Sequence, residues 1–155
     1  MPLEIERKFL VAGDFKSLAT SSSHIMQGYI CCHGGRTVRI RKMDDLYILT
    51  IKGPSGLGGL TRLEIEKEVT PEEGKALFGI CEPGIIEKIR YRVPIGKHIC
   101  EVDEFFGENE GLIMAEIELN SEDEAYTKPS FLGEEVTGDR RYYNSQLRKN
   151  PYKNW

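Results

Sequence analysis

Charged side chains recur at a spacing of two residues in six segments of this chain, with apolar side chains between them. In the first segment, LEIERKF at 3–9, Glu4, Glu6 and Lys8 share one register. Because successive side chains of a strand point to opposite faces, each segment is predicted to form a strand with one apolar and one charged face. The other five segments are TVRIR at 37–41, RLEIEKE at 62–68, EKIRYRV at 87–93, CEVDEF at 100–105 and AEIEL at 115–119.

The charges in this register are largely sorted by sign, since most of the strands carry mainly acids or mainly bases. The acids are Glu4, Glu6, Glu64, Glu66, Glu101, Asp103, Glu116 and Glu118. The bases are Lys8, Arg39, Arg41, Lys52, Arg62, Lys88, Arg90 and Arg92, where Lys52 belongs to a further strand, ILTIK at 48–52.

Two interpretations fit a set of strands with one charged face. An open antiparallel sheet can turn its polar face to water, but like charges on one face repel each other and such faces usually mix their signs. Clustered carboxylates cost free energy unless a cation lies between them, and clustered bases cost it unless an anion does. Hard divalent metals suit carboxylates, and phosphate suits arginine and lysine. A metal–polyphosphate complex would satisfy both groups.

The chain also contains a weak internal repeat that predicts its architecture. LEIERKFLV at 3–11 is echoed by LEIEKEVT at 63–70, and in each half a predicted helix and three strands follow. The fold class is therefore predicted as α+β and mainly β, an eight-stranded antiparallel barrel, closed or nearly closed, with a charged interior. Helices are expected on its apolar outer wall, at FKSLA after Asp14, from Thr70 through Phe78, and through RRYYNSQLRK near the C-terminus.

Composition narrows the class of protein. The formal net charge of −4 over 155 residues argues against a nucleic-acid partner. No stretch approaches the roughly 20 apolar residues of a membrane-spanning helix. The N-terminal residues lack the pattern of a secretory signal, so a cytoplasmic location is expected, with no membrane partner.

These motifs resemble the CYTH superfamily, also called triphosphate tunnel metalloenzymes, in its short bacterial form. The E-x-E-x-K pattern of its first strand corresponds to Glu4, Glu6 and Lys8, and its R-x-R strand to Arg39 and Arg41. Further matches are Lys52, Asp103, Glu116, Glu118 and the C-terminal EEVTGDRRYYNSQL. The resemblance covers essentially the whole chain, and residues 1–155 are accordingly expected to form a single domain of this type.

The resemblance implies a tunnel that binds a linear triphosphate with one or two Mg²⁺ or Mn²⁺ ions. It places the acids Glu4, Glu6, Asp103, Glu116 and Glu118 near the metals, and the alternation adds Glu64 and Glu66. It places the bases Lys8, Arg39, Arg41, Lys52 and Arg90 on phosphate oxygens, and the alternation adds Lys88 and Arg92. Tyr29 matches a tyrosine of short bacterial relatives, and together with Lys8 it is expected to orient or deprotonate the attacking water, although an ordinary strand tyrosine fits as well.

The predicted function is metal-dependent hydrolysis of inorganic tripolyphosphate to pyrophosphate and phosphate. Two alternatives remain open at this stage: an enzyme acting on an organic triphosphate, either a thiamine triphosphatase or a class IV type adenylate cyclase, and a non-catalytic module that binds polyphosphate or metal. The predicted C-terminal helix could place Arg140 or Arg141 at the tunnel mouth, although helix ends are commonly basic. A homodimer is also left open.

Overall fold

The structure is a computed structural model that describes residues 3–155. In this part of the chain it contains nine β-strands, whose alternating apolar and charged residues follow the two-residue spacing of the sequence. The strands are β1 Leu3–Val11, β2 Ser21–His33, β3 Arg36–Met43, β4 Leu46–Lys52, β5 Thr61–Val69, β6 Ile86–Ile95, β7 His98–Phe105, β8 Ile113–Glu118 and β9 Leu132–Glu135. The two α-helices are α1 Pro71–Phe78 and α2 Asn144–Leu147, and 3-10 turns lie at Lys16–Leu18, Leu57–Gly59, Gly107–Asn109, Arg140–Tyr142 and Tyr152–Asn154.

The first eight strands form a closed antiparallel barrel, as the sequence predicts. Neighbouring strands follow the order β5-β4-β3-β2-β6-β7-β8-β1, and β1 pairs back onto β5. The closing pairs are Leu3 with Leu63, Glu4 with Arg62 and Ile5 with Thr61. The short strand β9, which the sequence analysis did not predict, adds to β1 outside the barrel.

The apolar register of the strands faces outward and packs beneath the connecting segments. One cluster joins β1, β6, β7 and β8 to Phe15 and Phe131, and a second joins Ile86 and Phe105 to Leu147. Burying each such side chain contributes about 1.5–3 kcal/mol. The hydrophobic core therefore lies outside the barrel, along β1, β6, β7 and β8, while Leu3, Ile51 and Ile65 on the outer face of β1, β4 and β5 are exposed. The charged register is left to face the lumen.

Helix α1 covers part of the outer wall and is defined by its local sequence. Thr70 accepts a hydrogen bond from the Glu73 backbone N–H, and the Glu73 side chain accepts one from the Thr70 N–H. This capping box, with Pro71 in the first turn, starts the helix. Gly74 lies against Tyr47, where a Cβ atom would come within 2.1 Å of the tyrosine ring, so only glycine allows this close approach.

The expected helical cover is only partly correct. The segment after Asp14 forms a single 3-10 turn, in which the Asp14 carboxylate accepts hydrogen bonds from Lys16 and Ser17. The predicted C-terminal helix is wrong as a continuous element, because Tyr143 adopts an extended conformation and separates a 3-10 turn from the four-residue helix α2. Among residues 3–155, no helix has the length and apolar character needed to cross a membrane.

Candidate active site

A cavity of about 250 Å³ occupies the lumen of the barrel, and we call it the tunnel. Fifteen of the sixteen charged residues selected by the alternation line it, so the charged register does face inward. Its acids are Glu4, Glu6, Glu64, Glu66, Glu101, Glu116 and Glu118, and its bases are Lys8, Arg39, Arg41, Lys52, Arg62, Lys88, Arg90 and Arg92.

The barrel order separates these charges into two opposed walls. The acidic wall lies on the adjoining strands β5, β1, β8 and β7, and it comprises Glu4, Glu6, Glu64, Glu66, Glu101, Glu116 and Glu118. The basic wall lies on β4, β3 and β6, and it comprises Arg39, Arg41, Lys52, Lys88, Arg90 and Arg92. Lys8 and Arg62 are the two bases that the acidic strands contribute to the described tunnel lining. A ligand in the tunnel therefore meets carboxylates on one side and guanidinium and ammonium groups on the other.

Glu6 and Glu116 are the central carboxylates of the acidic wall. Burial and the nearby Glu116 raise the pKa of Glu6 well above its usual range. Burial also opposes ionisation of Glu116, but Lys8 and a hydrogen bond with Glu6 lower the pKa of Glu116 to about 2. The pKa values of the two neighbouring carboxyl groups are therefore driven apart, so that Glu6 holds a proton more readily than Glu116 does. A divalent cation can compete with a proton here, because carboxylate oxygens are ligands of hard metal ions.

A second group of carboxylates lies where β1 and β5 of the acidic wall meet Lys52 of the basic wall. Lys52 Nζ donates to the two oxygens of Glu4 at 3.0 and 3.1 Å and lies 3.4 Å from Glu64. Burial and Glu4 raise the pKa of Glu64 to about 7, and the same two influences raise the pKa of Glu118. The acidic strands thus place seven carboxylates in the tunnel but only two bases, Lys8 and Arg62.

The donors fit a divalent metal in their chemistry. The acidic wall offers carboxylate oxygens, and burial with neighbouring carboxylates raises the pKa of Glu6 and of Glu64. Within residues 3–155, no three histidine, cysteine, aspartate or glutamate side chains form an assembled metal site. The tunnel residues therefore suit a divalent cation in the type of their donor atoms and in the number of their carboxylates.

Asp103, expected among the metal ligands, contacts bases of the neighbouring strand β6 and does not belong to the described tunnel lining. Arg90 Nε and Nη2 donate to its two oxygens at 2.8 and 2.9 Å, and Lys88 Nζ lies 2.8 Å from Oδ2. Burial opposes its ionisation, yet Arg90 and Lys88 hold the pKa of Asp103 far below its usual value. Both oxygens are already engaged by bases, so Asp103 neutralises and orients the basic wall.

Amide and hydroxyl groups position the remaining bases. Gln27 Oε1 accepts a hydrogen bond from Arg41 Nε at 2.9 Å. Asn144 Oδ1 accepts from Lys88 Nζ at 2.8 Å and from Gln27 Nε2 at 3.0 Å. Arg39 Nη2 donates to Thr50 at 3.1 Å. Neutral partners thus help to hold these side chains in place, in addition to Asp103 beside Lys88 and to Glu66 at 4.0 Å from Arg39.

Sequence reasoning missed Tyr143 and Asn144, which close one end of the tunnel. Lys8 Nζ lies 4.2 Å from the centre of the Tyr143 ring, and the Tyr143 hydroxyl is 3.0 Å from Ser55 Oγ. Neither residue belongs to a charged or periodic pattern, and only the break in the predicted C-terminal helix brings them to the lumen. The sequence analysis suggested Arg140 or Arg141 for the tunnel mouth, but both side chains are exposed and neither lines the tunnel.

The expected pair of Tyr29 and Lys8 is not formed in the part of the chain described. Tyr29 lines the tunnel, and its hydroxyl accepts a hydrogen bond from Gln27 Nε2 at 3.3 Å. Lys8 instead contacts Glu6 at 3.6 Å and the ring of Tyr143. Burial opposes the charge on Lys8, but Glu6 and Glu116 raise its pKa above the usual value. These carboxylates favour the charged form of Lys8.

Comparison with known proteins agrees with this barrel and its motifs. The family model of the CYTH domain matches residues 2–148. This chain belongs to the CYTH domain family. It is 49% identical over 157 residues to the inorganic triphosphatase of Acetivibrio thermocellus, covering all of this chain and 99% of that protein.

A further relative of this CYTH protein and a solved structure carry the same name. The inorganic triphosphatase of Nitrosomonas europaea is 36% identical over 149 residues, covering 93% of this chain and 95% of that protein. The crystal structure of the inorganic triphosphatase NE1496 superposes with a TM-score of 0.68 at 32% identity, covering 96% of this chain and 95% of the other. The fold and its charged lumen therefore occur together in a family with triphosphatase members.

Proposed function

We propose that this CYTH protein, as one domain over residues 1–155, hydrolyses inorganic tripolyphosphate to pyrophosphate and phosphate with Mg²⁺ or Mn²⁺. The observation that carries this proposal is the separation of an acidic and a basic wall within one closed lumen. A linear triphosphate with a bound divalent cation carries both signs of charge and complements both walls. The triphosphatase names of two relatives, at 49% and 36% identity, support the same substrate class.

The basic wall binds the phosphate chain. Arg39 is suited to this role because its Nε is buried without a hydrogen-bond partner among residues 3–155, so it has a donor free for a phosphate oxygen. Arg90 and Lys88 stay positioned by Asp103, and Arg41 by Gln27. These cations stabilise negative charge on the equatorial and leaving oxygens as the phosphoric anhydride bond breaks.

The acidic wall supplies the oxygen ligands for one or two ions. The carboxylates proposed to hold them are Glu4, Glu6, Glu116 and Glu118, with Glu64 and Glu66 beside them. A bound Mg²⁺ or Mn²⁺ ion neutralises phosphate oxygens and makes a water molecule more acidic. Lys8 contributes fixed positive charge next to Glu6 and Glu116. Tyr29 remains a candidate for orienting the attacking water from the basic side.

The aromatic groups of the tunnel favour an inorganic substrate. Two aromatic residues, Tyr29 and Tyr143, belong to the described lining. Tyr143 contacts Lys8 and Arg62, at 4.2 and 5.6 Å from its ring centre, and Tyr29 contacts Arg148 at 5.8 Å. Stacking of an adenine or thiazole ring on either tyrosine would have to compete with these basic side chains.

A substrate comparison tests this function. The protein is incubated with Mg²⁺ or Mn²⁺ and with tripolyphosphate, ATP or thiamine triphosphate, and the released phosphate, pyrophosphate and cyclic AMP are measured. We expect tripolyphosphate to turn over fastest, with equal amounts of phosphate and pyrophosphate, and chelation by EDTA to stop the reaction. Faster release from thiamine triphosphate, or formation of cyclic AMP from ATP, would contradict the proposal.

A further inference from the structure

Arg148 places a buried positive charge beside a tunnel residue without lining the tunnel itself. Its guanidinium carbon Cζ lies over the ring of Tyr29, 5.8 Å from the ring centre. Only 4% of the Arg148 side chain is exposed, and Arg148 does not belong to the described tunnel lining. Tyr29, by contrast, is buried and does line the tunnel. Arg148 can therefore act on a ligand in the tunnel through Tyr29, and not by touching the ligand.

Two hydrogen bonds fix the guanidinium group of Arg148 over this ring. Its Nη2 donates to the Glu82 carboxylate at 2.6 Å, and its Nη1 donates to the Pro83 carbonyl oxygen at 3.3 Å. Gly84 lies against the Arg148 backbone, where a Cβ atom would come within 2.8 Å of the Arg148 carbonyl oxygen. The loop between α1 and β6 therefore holds both the side chain and the backbone of Arg148.

The same loop also holds the backbone of Tyr29. The pairing of β2 with β3 is irregular between Tyr29 and Cys31, and the Tyr29 carbonyl oxygen accepts a hydrogen bond from the Glu82 N–H at 2.8 Å. One residue earlier, a Cβ atom on Gly28 would lie 2.7 Å from Cys81 Sγ, so the loop packs directly against β2. The main chain of Tyr29 is thus fixed by the loop that also anchors Arg148.

The hydrogen bonds around the Tyr29 hydroxyl group have a defined direction. Arginine can only donate, so the oxygen of the Gln27 amide accepts from Arg41 and the amide nitrogen is left for Tyr29. Gln27 Nε2 donates to the hydroxyl oxygen at 3.3 Å. The hydroxyl proton is therefore free for an acceptor in the tunnel, such as a phosphate oxygen or an attacking water molecule. This donation requires the Tyr29 ring to keep one orientation.

Stability alone does not explain an arginine at position 148. The Nε of Arg148 is buried and has no hydrogen-bond partner among residues 3–155, and an unpaired buried donor costs free energy. Methionine has a long, flexible and apolar side chain that could fill the same space without that cost. The charge of Arg148 is better explained by its position over the ring of Tyr29.

We propose that Arg148 is a positioning residue, which holds the ring of Tyr29 so that the hydroxyl group donates to the phosphate chain or to the attacking water. The attraction between a guanidinium group and the face of an aromatic ring supplies the hold, and burial strengthens it. The contact couples the C-terminal segment, which closes the tunnel, to a residue inside the tunnel. This inference rests on the proposed function, from which it takes the ligand and the role of Tyr29.

The test compares Arg148→Met with a matched change at Arg7. The Arg7 guanidinium group also lies 5.8 Å from a tyrosine ring centre, pairs with Glu135 at 3.1 Å, and has a buried Nε without a partner in the described part of the chain. Its ring is that of Tyr126, which packs against the outer core, and 29% of the Arg7 side chain is exposed. Arg7→Met therefore makes the same chemical change on the outer wall of the barrel.

Steady-state hydrolysis of tripolyphosphate is measured for both variants at saturating Mg²⁺ or Mn²⁺. We expect Arg148→Met to lower kcat at least about ten-fold, with KM within about two-fold of wild type. Arg7→Met should change neither value by more than about two-fold. In the Tyr29→Phe background, which lacks the hydroxyl group, Arg148→Met should lower kcat by less than about two-fold further.

Three kinetic results would overturn the inference: an unchanged kcat in Arg148→Met, an equal loss from Arg7→Met, or an undiminished further loss in the Tyr29→Phe background. Arg148→Lys serves if Arg148→Met does not fold. Lysine keeps the positive charge but has one nitrogen in place of the fork that reaches Glu82 and Pro83. Its loss of kcat should be smaller and should again be absent from Tyr29→Phe, and a loss that persists there would equally contradict the inference.

A measurement without turnover separates this inference from the proposed function. With ¹³C-labelled tyrosine, NMR exchange spectra of the ligand-free protein give the flip rate of the Tyr29 ring, whose signals are those that Tyr29→Phe removes. We expect Arg148→Met to raise this rate at least about ten-fold, and Arg7→Met to leave it unchanged.

The two proposals can then fail separately. If the wild-type protein does not hydrolyse tripolyphosphate but the flip rate depends on Arg148, the proposed function fails and the positioning of Tyr29 stands. If tripolyphosphate is hydrolysed and neither the flip rate nor kcat responds to Arg148, the proposed function stands and the positioning role fails.

Discussion

The two walls of the tunnel differ in how far the protein itself completes them. On the basic wall, Asp103 compensates the charge of Arg90 and Lys88. The neutral side chains Gln27 and Asn144 accept hydrogen bonds from Arg41 and Lys88. On the acidic wall, carboxylates face one another, and the pKa values of Glu6, Glu64 and Glu118 are raised. Burial and neighbouring carboxylates raise the pKa of these acids, whereas on the basic wall Asp103 favours the charged form of Arg90 and burial lowers the pKa of Lys88 to about 7 even beside Asp103.

This difference predicts that the acidic wall depends on its ligand more than the basic wall does. The basic wall is assembled before any ligand arrives, because its side chains already have defined partners. On the acidic wall the raised pKa values of Glu6, Glu64 and Glu118 are expected to fall when a cation binds between the carboxylates. We therefore expect substitutions on the basic side to affect stability and phosphate binding, and substitutions on the acidic side to affect catalysis by the metal-bound protein.

The largest expected effect comes from removing the counter-ion of the basic wall. Asp103→Asn leaves Arg90 and Lys88 buried without their carboxylate, so we expect the free energy of unfolding to fall by about 3–5 kcal/mol at pH 7. Urea unfolding measures it, and Asp45→Asn, at an exposed turn position, is the control. A loss below about 1 kcal/mol would show that Asp103 does not stabilise the wall.

The pH dependence of this loss has a defined sign. Arg90 and Lys88 lower the pKa of Asp103 in the folded state below its ordinary value of 3.8, against the effect of burial. The stabilisation is therefore complete above about pH 4 and decreases as the pH falls further and the folded carboxylate takes up its proton. The difference between wild type and Asp103→Asn should narrow below pH 4, and a constant difference down to pH 2 would contradict this assignment.

Breaking the acidic wall should mainly impair catalysis. Glu116→Gln removes a carboxylate proposed to hold a metal ion, and we expect kcat/KM for tripolyphosphate to fall by about 100- to 1,000-fold. Glu110→Gln, at an exposed position outside the barrel strands, makes the same chemical change and should leave activity unchanged. Activity of Glu116→Gln within about two-fold of wild type would remove Glu116 from the site.

A substitution on the basic wall sharpens the contrast. Arg39→Ala removes a buried cation whose Nε has no hydrogen-bond partner among residues 3–155. We therefore expect KM for tripolyphosphate to rise by about 10- to 100-fold. The value of kcat should change much less if Arg39 binds ground state and transition state alike. Lys42→Ala, on the outward register of the same strand, is the control. A fall in kcat alone would contradict the role of Arg39 in ground-state binding.

The smallest effect is expected where the C-terminal segment meets the acidic strands. Tyr143→Leu removes the ring beside Lys8, and we expect kcat/KM to fall by about 2- to 30-fold. Tyr143→Phe keeps the ring and loses only the hydroxyl contact with Ser55, so its effect should be smaller. An equal loss in both variants would show that the hydroxyl group matters and the ring does not.

The periodic part of the molecule was predictable from the sequence, and the parts that depend on tertiary contacts were not. Alternation predicts the eight strands and which side chains share the lumen, because the two-residue period follows from strand geometry alone. The same register contains Asp103 and Glu101, so alternation cannot show that Asp103 pairs with Arg90 and Lys88. That pairing follows from the direct opposition of Arg90 and Asp103 across β6 and β7.

The C-terminal segment is a second region whose structure could not be predicted from the sequence. Its composition favours a helix through RRYYNSQLRK, yet Tyr142 is buried in the outer core while Tyr143 and Asn144 face the tunnel. A continuous helix cannot place consecutive residues on such different surfaces, so the chain becomes extended at Tyr143. No local pattern encodes this choice, because it depends on the barrel against which the segment packs.

A crystal structure with Mn²⁺ and tripolyphosphate tests the central claim most directly. We predict that the anomalous signal of manganese lies beside Glu6 and Glu116, and that the phosphate chain runs along Arg39, Arg41 and Arg90. Density for the ion or for the phosphate chain on the outer surface of the barrel, with an empty lumen, would contradict the account.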